Sequence, residues 1–446
     1  MKKQSLFSVD SMGRAIFPEG ITSIPDKAFS FNEDLVEVVV PEGVVSIGNN
    51  AFEHCEKLQS VKLPSSLKSI GDEAFFFCLK LSLIKIPSSV TSIGRMAFRS
   101  CFSIKEIFIP ENVSKIGEGF LVGCYDLQHI TVSPQNHTFS SVGDCLLCCG
   151  GQSLHTGCSN SVPPEGILEI GSYAFSGIHI REIKIPEGTE VIGFSAFGFC
   201  YGLEKVSLPS SLLLIRDEAF RMCSRLEKID LPKGVLSVGK RAFHQCRLRE
   251  MTLPGGNFTI GPGAFAAACA PEGLHLSPDN TAYRIEGGYI LSKDGRVLYG
   301  CVALTLPMPE VEVIRRGAFD GVPFRGGDIV LPDSVTVIGD GAFSGRSAIG
   351  KVEIPSSVKK VGSRIFGERS VEELVLHGIP QEVKENSFDC RGIGKVTFPG
   401  GMIPVDFLKN ISRNITSVEE NPDKILIIGT SGEKITLTVP EGTIEE

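Results

Sequence analysis

Apolar residues recur along this chain with one fixed period, which limits the folds that the chain can adopt. An Ala-Phe pair returns every 23 residues, at Phe29, Phe52, Phe75 and Phe98. The same phenylalanine register continues, with two interruptions, at Phe120, Phe175, Phe197, Phe220, Phe243, Phe265, Phe319, Phe343, Phe366 and Phe388. A period between about 20 and 50 residues is typical of stacked supersecondary units that contact only their neighbours. The pattern predicts a repeat solenoid and argues against a globular enzyme core.

Each unit begins with a short predicted strand. In the unit that starts at Leu58, the apolar residues Val61 and Leu63 alternate with polar ones, and Pro64 follows. Alternation is typical of a strand with one buried face, and proline ends the strand because it lacks an N–H for the ladder. Strands that return in the same direction with every unit must pair in parallel, about 4.8 Å apart.

The second half of the unit turns the chain back towards the next strand. Gly71 follows a second buried aliphatic residue, where glycine predicts a positive φ or a close backbone approach. The stretch from Ala74 to Cys78 is too short for a full helix, so we expect a single helical or 3-10 turn whose phenylalanine fills the interior of the coil.

Cysteines follow the same period, three residues after the phenylalanine, or four residues after it at Cys124 and Cys269. They occur at Cys55, Cys78, Cys101, Cys124, Cys200, Cys223, Cys246 and Cys269. Neighbouring coils would bring such residues within disulfide range, but Asn32, Ile178 and Arg346 occupy the same position in other units. We therefore expect cysteine to serve here as a small buried apolar residue.

The sequence also has a longer repeat of about 145 residues, in addition to the short repeat of 23 residues. Two interruptions, at about 133–162 and 277–306, match each other and carry turn signals between apolar runs, which predicts a β-hairpin insert in each. The repeat pattern ends near residue 400. We predict a solenoid over 1–400 and a C-terminal cap over 401–446 with a β-hairpin at 424–438, because an open solenoid end exposes core and strand edges.

These motifs resemble those of the BspA-type leucine-rich repeat family, over roughly residues 15–400. The resemblance rests on the strand L-x-x-I-x-I-P followed by V-x-x-I-G-x-x-A-F-x-x-C. It implies a right-handed leucine-rich-repeat superhelix with a parallel β-sheet on the concave face and short turns opposite. Members of the family are typically bacterial surface or secreted proteins linked to adhesion to host matrix proteins or to other cells.

Net charge and the distribution of apolar residues argue against some classes of function. The formal net charge is −8 with both signs mixed, which argues against nonspecific nucleic-acid binding. No apolar stretch is long enough for a transmembrane helix. Residues 4–14 contain no apolar core of a signal peptide, so we expect either an intracellular protein or one whose export signal is absent from this chain.

The chain carries no phosphate-binding loop, no zinc-protease motif and no nucleophile elbow. We expect no enzyme activity and no cofactor. One cluster, Cys145, Cys148, His155 and Cys158, has ligand types that suit zinc. We favour a structural role over a disulfide or a metal site, because the matching insert has Tyr289 and Ser292 at the first two equivalent positions.

A partner surface is predicted on the strand face of the first repeats. Side chains between the buried strand positions must point away from the core. There the apolar residues Val36, Val39, Leu83 and Phe108 are joined by Lys62 and Lys85. Exposed apolar residues beside cations favour protein binding. The alternative is that the hairpin insert or a neighbouring chain covers them.

The sequence thus supports two main functions, which differ in the cellular location of the protein. The first is a non-enzymatic protein-binding scaffold of the cell surface or a secreted adhesion protein, with a host matrix or cell-surface protein as the ligand that the resemblance implies. The second is an intracellular scaffold for protein–protein interaction. An enzyme whose site lies on the repeat surface is a third and disfavoured reading.

Overall fold

The structure, a computed structural model, describes residues 7–256, 258–303, 308–384 and 386–397, and three strands beyond them. The chain divides into two compact units, Met1–Glu227 and Lys228–Glu446. Each unit is a stack of coils joined by parallel two- to seven-residue strands, with almost no helix. The predicted repeat solenoid is therefore confirmed.

The described part of the first unit contains twenty strands. They are β1 Ser8–Val9, β2 Ala15–Ile16, β3 Ser23–Ile24, β4 Glu37–Val39, β5 Ser46–Ile47, β6 Ser60–Lys62, β7 Ser69–Ile70, β8 Leu83–Ile84, β9 Ser92–Ile93, β10 Glu106–Ile109, β11 Lys115–Ile116, β12 His129–Val132, β13 Ser140–Val142, β14 Cys145–Cys148, β15 Ser153–Thr156, β16 Glu169–Ile170, β17 Glu182–Lys184, β18 Val191–Ile192, β19 Lys205–Ser207 and β20 Leu214–Ile215. A short 3-10 helix, Cys149–Gly151, lies between β14 and β15.

The strands of the second unit follow the same plan. They are β21 Lys228–Asp230, β22 Ser237–Val238, β23 Glu250–Leu253, β24 Thr259–Ile260, β25 Leu274–Leu276, β26 Tyr283–Glu286, β27 Tyr289–Ser292, β28 Val297–Cys301, β29 Val313–Ile314, β30 Ile329–Val330, β31 Val337–Ile338, β32 Ile349–Ile354, β33 Lys360–Val361, β34 Ser370–Leu376, β35 Glu382–Val383, β36 Gly392–Thr397, β37 Ile415–Asn421, β38 Lys424–Gly429 and β39 Lys434–Thr438. A 3-10 helix, Pro271–Gly273, precedes β25.

Each coil carries two parallel ladders, of which the sequence predicted one. The first ladder contains the predicted strand and runs β4-β6-β8, β10-β12 and β17-β19 in the first unit, and β21-β23-β25 and β30-β32-β34-β36 in the second. The second ladder contains the Ser-Ile dipeptide before the repeat glycine. It runs β3-β5-β7-β9-β11 and β15-β16-β18-β20 in the first unit, and β28-β29-β31-β33-β35 in the second.

The glycine that follows the second ladder is required by a close approach between coils. A Cβ on Gly71 would lie 2.6 Å from the carbonyl carbon of Gly48, and one on Gly94 would lie 2.4 Å from the amide nitrogen of Asp72. The predicted close approach is confirmed. The alternative expectation of a positive φ is wrong at these positions, because their backbone is not left-handed.

The Ala-Phe segment forms a third ladder, the turn ladder, and differs from the predicted helical turn. The Phe52 amide donates to the Ala74 carbonyl of the next coil (2.8 Å), and the Phe75 amide donates to the Ala97 carbonyl (2.8 Å). Within the turn, left-handed residues recur four apart, as at Glu73 (φ 53°) and Phe77 (φ 62°). These residues prevent helical dihedral angles, so the segment is a run of β-turns.

Phenylalanine rings form the core column, as predicted. Phe75 is fully buried and stacks on Phe52 (centroids 5.1 Å apart, planes 4° apart) and on Phe98 (5.4 Å, 4°). At the amino-terminal end, Phe17 packs edge-on against Phe29 (5.6 Å) beside the antiparallel pair β1–β2. The apolar side chains of the two ladders enclose this column from the other sides.

Both predicted hairpin inserts are present, and each has an additional strand. Strands β14 and β15 pair antiparallel, as do β27 and β28, and each hairpin is preceded by a further antiparallel strand, β13 or β26. The last strand of each insert then joins the second ladder in parallel. Each insert thus returns the chain to the stack. Residues 304–307 of the second lie outside the described residues.

An asparagine anchors each insert to the preceding coil. The Nδ2 of Asn136 donates to the carbonyls of Pro110 (2.7 Å) and Val113 (2.9 Å), and its Oδ1 accepts from the Phe139 amide (2.8 Å). Asn280 does the same with the Pro254 carbonyl and the Tyr283 amide (2.8 Å each). The Asn-x-x-aromatic motif is therefore a structural anchor.

The predicted C-terminal cap is described only in part. Strands β38 and β39 pair antiparallel, as the predicted hairpin at 424–438 requires, and β39 also joins β36 in parallel. The hairpin turn and most of 401–446 lie outside the described residues, so the cap stays a prediction.

Removing a ring from the core column should destabilise the stack locally. We expect Phe75→Ala to lower the free energy of unfolding by about 3–5 kcal/mol, because the cavity lies between two stacked rings that cannot move into it. Unfolding should also become less cooperative, since coils contact only their neighbours. Phe108→Ala is the matched control, because that ring is 45% exposed. Equal denaturant midpoints for both variants would contradict the assignment.

Candidate functional site

The candidate site is the first-ladder patch, which consists of Val36, Val39, Lys62, Leu83, Lys85 and Phe108. Val39, Leu83 and Phe108 are 50%, 69% and 45% exposed. Both lysines are exposed as well, and Val36 is half-buried. Large apolar side chains this accessible to water normally lie scattered, and a group of them on one strand face is typical of an interaction surface.

Strand alternation places these side chains outside. Val38, Val61 and Ile107 point into the core, where they are 0%, 4% and 3% exposed. Because successive residues of a strand point to opposite faces, the residues between them must face solvent. The patch is therefore a direct consequence of the buried positions that form the core.

The strand register shows which residues of the predicted surface lie side by side, and it divides that surface. Val39 lies beside Lys62, and Phe108 lies beside Thr131, as expected. Leu83 lies beside Ser60, which precedes Lys62 by two residues on the same strand and faces the same side. Strands β8 and β10 belong to separate sheets, so the first ladder is interrupted between Leu83 and Phe108. The unbroken second ladder, β3-β5-β7-β9-β11, joins the coils across this interruption.

The first insert borders the patch and leaves it open. His129 Nδ1 lies 3.3 Å from Asp144 Oδ1, and the Val132 amide donates to Ser141 Oγ (3.1 Å). These contacts attach the insert to β12, next to the strand that carries Phe108. Because Phe108 and Leu83 stay exposed, the hairpin insert does not cover the patch, which was one of the alternatives.

The patch lysines lack the ion pairs that stabilise other parts of the first ladder. Arg181 pairs with Glu204 (2.7 Å), and Lys395 pairs with Glu373 (2.9 Å), each across neighbouring strands. Within the described part of the chain, Lys62 and Lys85 form no such pair. Their ammonium groups are therefore available for carboxylates of another molecule.

The four residues considered as possible zinc ligands, for which a structural role was favoured, contact different partners. Cys158 Sγ donates to the Gln128 carbonyl (2.9 Å), and Cys145 Sγ donates to the Gly143 carbonyl (3.5 Å). His155 contacts Thr156 Oγ1 through Nδ1 and the Ile116 carbonyl through Nε2. Cys148 lies next to Cys149, 3.7 Å between sulfur atoms. Among the described residues, no group of three or more such side chains is placed to hold a metal ion.

The periodic cysteines are buried in the core. Cys78 Sγ donates to the Phe52 carbonyl and Cys101 Sγ to the Phe75 carbonyl, both at 3.1 Å. Burial raises the pKa of Cys55, Cys124 and Cys200 to about 12. The predicted role as a small buried residue is confirmed, with a weak hydrogen bond to the turn ladder in addition.

One arginine occupies the position that cysteine takes in other coils, and the sequence analysis missed it. Arg369, three residues after Phe366, is fully buried and donates through Nε to the Phe343 carbonyl (2.6 Å). Its Nη2 donates to the Val322 carbonyl (2.6 Å), and its guanidinium lies 4.6 Å from the ring centre of Phe324. Burial lowers its pKa to about 10. The spacing from Phe366 is the signal that identifies it as a replacement for cysteine.

The comparisons with known proteins agree with this architecture. The sequence profile of the BspA type leucine rich repeat region matches six copies, over residues 4–143, 155–270 and 312–431. The chain belongs to the BspA-type leucine-rich repeat family. Membership suggests a scaffold for protein interaction, and proteins of this family are generally non-enzymatic. No curated protein matches the chain.

Several solved structures are similar to this leucine-rich repeat chain. The pneumococcal vaccine antigen PcpA is 19% identical, with 96% of this chain and 78% of that chain covered and a TM-score of 0.47. A leucine rich cell surface protein from Faecalibacterium prausnitzii A2-165 is 22% identical, with 61% and 92% covered and a TM-score of 0.39. A leucine-rich repeat protein from Bacteroides ovatus is 24% identical, with 79% and 82% covered and a TM-score of 0.40.

Within the described ranges, no helix has the length and apolar character needed to cross a membrane.

Thiol reactivity should distinguish the buried periodic cysteines from the exposed cysteine of the first insert. At pH 8 we expect iodoacetamide to modify Cys149, which is exposed, and to leave Cys101 unmodified, because burial raises the pKa of Cys101 and excludes the reagent. Peptide mapping by mass spectrometry measures both rates, and labelling in denaturant is the control. Similar rates for the two cysteines in the native protein would contradict burial of the periodic cysteines.

Proposed function

We propose that this chain is a protein-binding scaffold displayed at the cell surface or secreted, and that the first-ladder patch docks its protein partner. The observation that carries the proposal is the group of exposed apolar residues, led by Leu83 and Phe108, that lies beside lysines without ion pairs. A rigid strand framework holds these side chains, so little conformational entropy is lost on binding.

The chemistry of the patch defines the partner it fits. Exposed Leu83 and Phe108 offer apolar area for burial in an interface core, which is more apolar than its rim and is enriched in aromatic residues. Lys62 and Lys85 supply positive charge at its margin, which speeds association with an acidic surface. We therefore infer a protein surface with an apolar centre and carboxylates around it. A host matrix or cell-surface protein is the partner that the family resemblance favours.

Charge substitution within the patch tests the docking site. A photo-cross-linking residue at position 83 identifies the partner, and affinity is then measured with the purified pair. We expect Leu83→Asp with Phe108→Asp to weaken binding by at least about tenfold, because burying carboxylates against an apolar surface is unfavourable. Val45→Asp with Leu168→Asp is the matched control, since these residues are 44% and 43% exposed outside the first ladder. Unchanged affinity of the folded patch variant would exclude the patch.

The cellular location of the protein is tested by an experiment that does not depend on the binding measurement. We expect protease added to intact cells to cleave the protein, because a surface or secreted scaffold must be accessible from outside. A protein of the cytoplasm with similar abundance serves as the control for cell lysis. Cleavage only after lysis would favour the intracellular scaffold and would leave the binding measurement with the purified pair unaffected.

A further inference from the structure

A row of aromatic rings lies along the turn ladder of the first unit, on the surface of the coils. The turn-side aromatic row consists of Phe31, His54, Phe77, Phe102 and Tyr125. The ring centroids of Phe31 and His54 are 4.8 Å apart with planes at 8°, and those of His54 and Phe77 are 4.7 Å apart at 22°. The row continues to Phe102 (6.2 Å) and from there to Tyr125 (4.7 Å). It crosses five coils without interruption.

The backbone at the start of the row is unfavourable for large side chains. Phe31, His54 and Phe77 have φ values of 60°, 55° and 62°, in the left-handed region that bulky residues rarely adopt. Glycine occupies the same position of the turn at Gly123 and Gly177. Glycine would be unstrained there, so folding alone does not explain three consecutive rings.

The row is open to solvent at both ends. Phe31 is 64% exposed and Tyr125 is 38% exposed, while the His54 side chain is 27% exposed. His54 lies between Phe31 and Phe77, so the faces of these rings largely cover one another. A sugar, which stacks on open ring faces, would meet mainly ring edges along this part of the row.

Arginine is the group that the chain itself places on these turns. The guanidinium of Arg99 lies 5.0 Å from the ring centre of Phe76, which also contacts His54 and Phe77 edge-on. Arg221 lies 5.2 Å from the ring centre of Phe199, which occupies the same turn position as Phe77. A planar guanidinium stacks well on aromatic rings. The turn surface therefore already shows the contact that an arginine of a partner would make.

Carboxylates flank the exposed end of the row. The side chains of Asp34 and Glu56 are 86% and 56% exposed, and Glu33 is exposed beside Asp34. Lys57 approaches Asp34 at 3.8 Å. The flank thus has more negative than positive groups, and it complements a cationic segment.

We propose that the turn-side aromatic row is a second docking site, which binds a peptide segment of a protein partner that carries arginine between apolar side chains. The apolar residues pack on the ring edges, and each guanidinium stacks on an open ring or pairs with a carboxylate. The row lies on the turn ladder and the first-ladder patch on the strands, so the proposal does not depend on the function proposed for that patch.

A synthetic peptide measures this site directly. The probe is a fluorescein-labelled peptide of twelve residues that alternates arginine and leucine, compared with peptides that have lysine or glutamate in place of arginine. We expect saturable binding of the arginine peptide, and Phe31→Gly with Phe77→Gly should weaken it by at least about tenfold. Glycine suits the left-handed backbone at both positions, so this variant should fold.

The matched control removes side chains from the same turn position without removing a ring. Met222 and Gln245 have φ values of 61° and 60°. Met222→Gly with Gln245→Gly should bind the arginine peptide as the parent does, and neither pair of substitutions changes the net charge. Leu83→Ser with Phe108→Ser should also bind it as the parent does, which separates this site from the first-ladder patch.

Three results would overturn the proposal. The first is equal affinity for the arginine and lysine peptides, because it would mean that charge alone drives binding. The second is equal loss of binding in the ring variant and the matched control. The third is absence of saturable binding of the arginine peptide. If self-association, measured by sedimentation, is then also lost in the ring variant, the row binds a second copy of this chain.

Discussion

The contact between successive Ala-Phe turns is the constraint on which the rest of each unit depends. The turn amides donate to the next coil at 2.8 Å, and this spacing brings Phe52 and Phe75 into parallel stacking. It also brings the backbones so close that Gly71 has no room for a Cβ. Ring stacking, glycine and the small cysteine are thus three consequences of one coil-to-coil distance, and changing any of them affects the same contact.

The position three residues after the phenylalanine accepts side chains of very different size and chemistry. Cysteine fills it with a thiol that donates to a carbonyl of the neighbouring coil, as Cys78 does to Phe52. Arg369 fills it with a guanidinium that satisfies several carbonyls and lies against Phe324. Both side chains donate to a buried carbonyl, and an unpaired buried acceptor is costly.

The sequence predicted those features that repeat and failed on those that depend on backbone angles. The period placed Phe75 in the core and Phe108 outside, and the paired inserts followed from their turn residues. The helical turn was wrong, because left-handed angles at residues such as Glu73 leave no mark in apolar periodicity. The two-residue second ladder escaped notice because Ser69–Ile70 is too short to show alternation. The turn-side aromatic row was missed because its rings vary in type from Phe31 to His54.

The direction of the hydrogen bonds has a mechanical consequence. Within a unit, the bonds of all three ladders run from coil to coil, along the stack. Tension applied at an end of such a stack opens one coil before the next, because each coil contacts only its neighbours. Each opened coil of 23 residues releases about 75–80 Å of extended chain. A protein built in this way lengthens in steps under load and absorbs work at every step, while the coils that remain closed keep their surfaces intact.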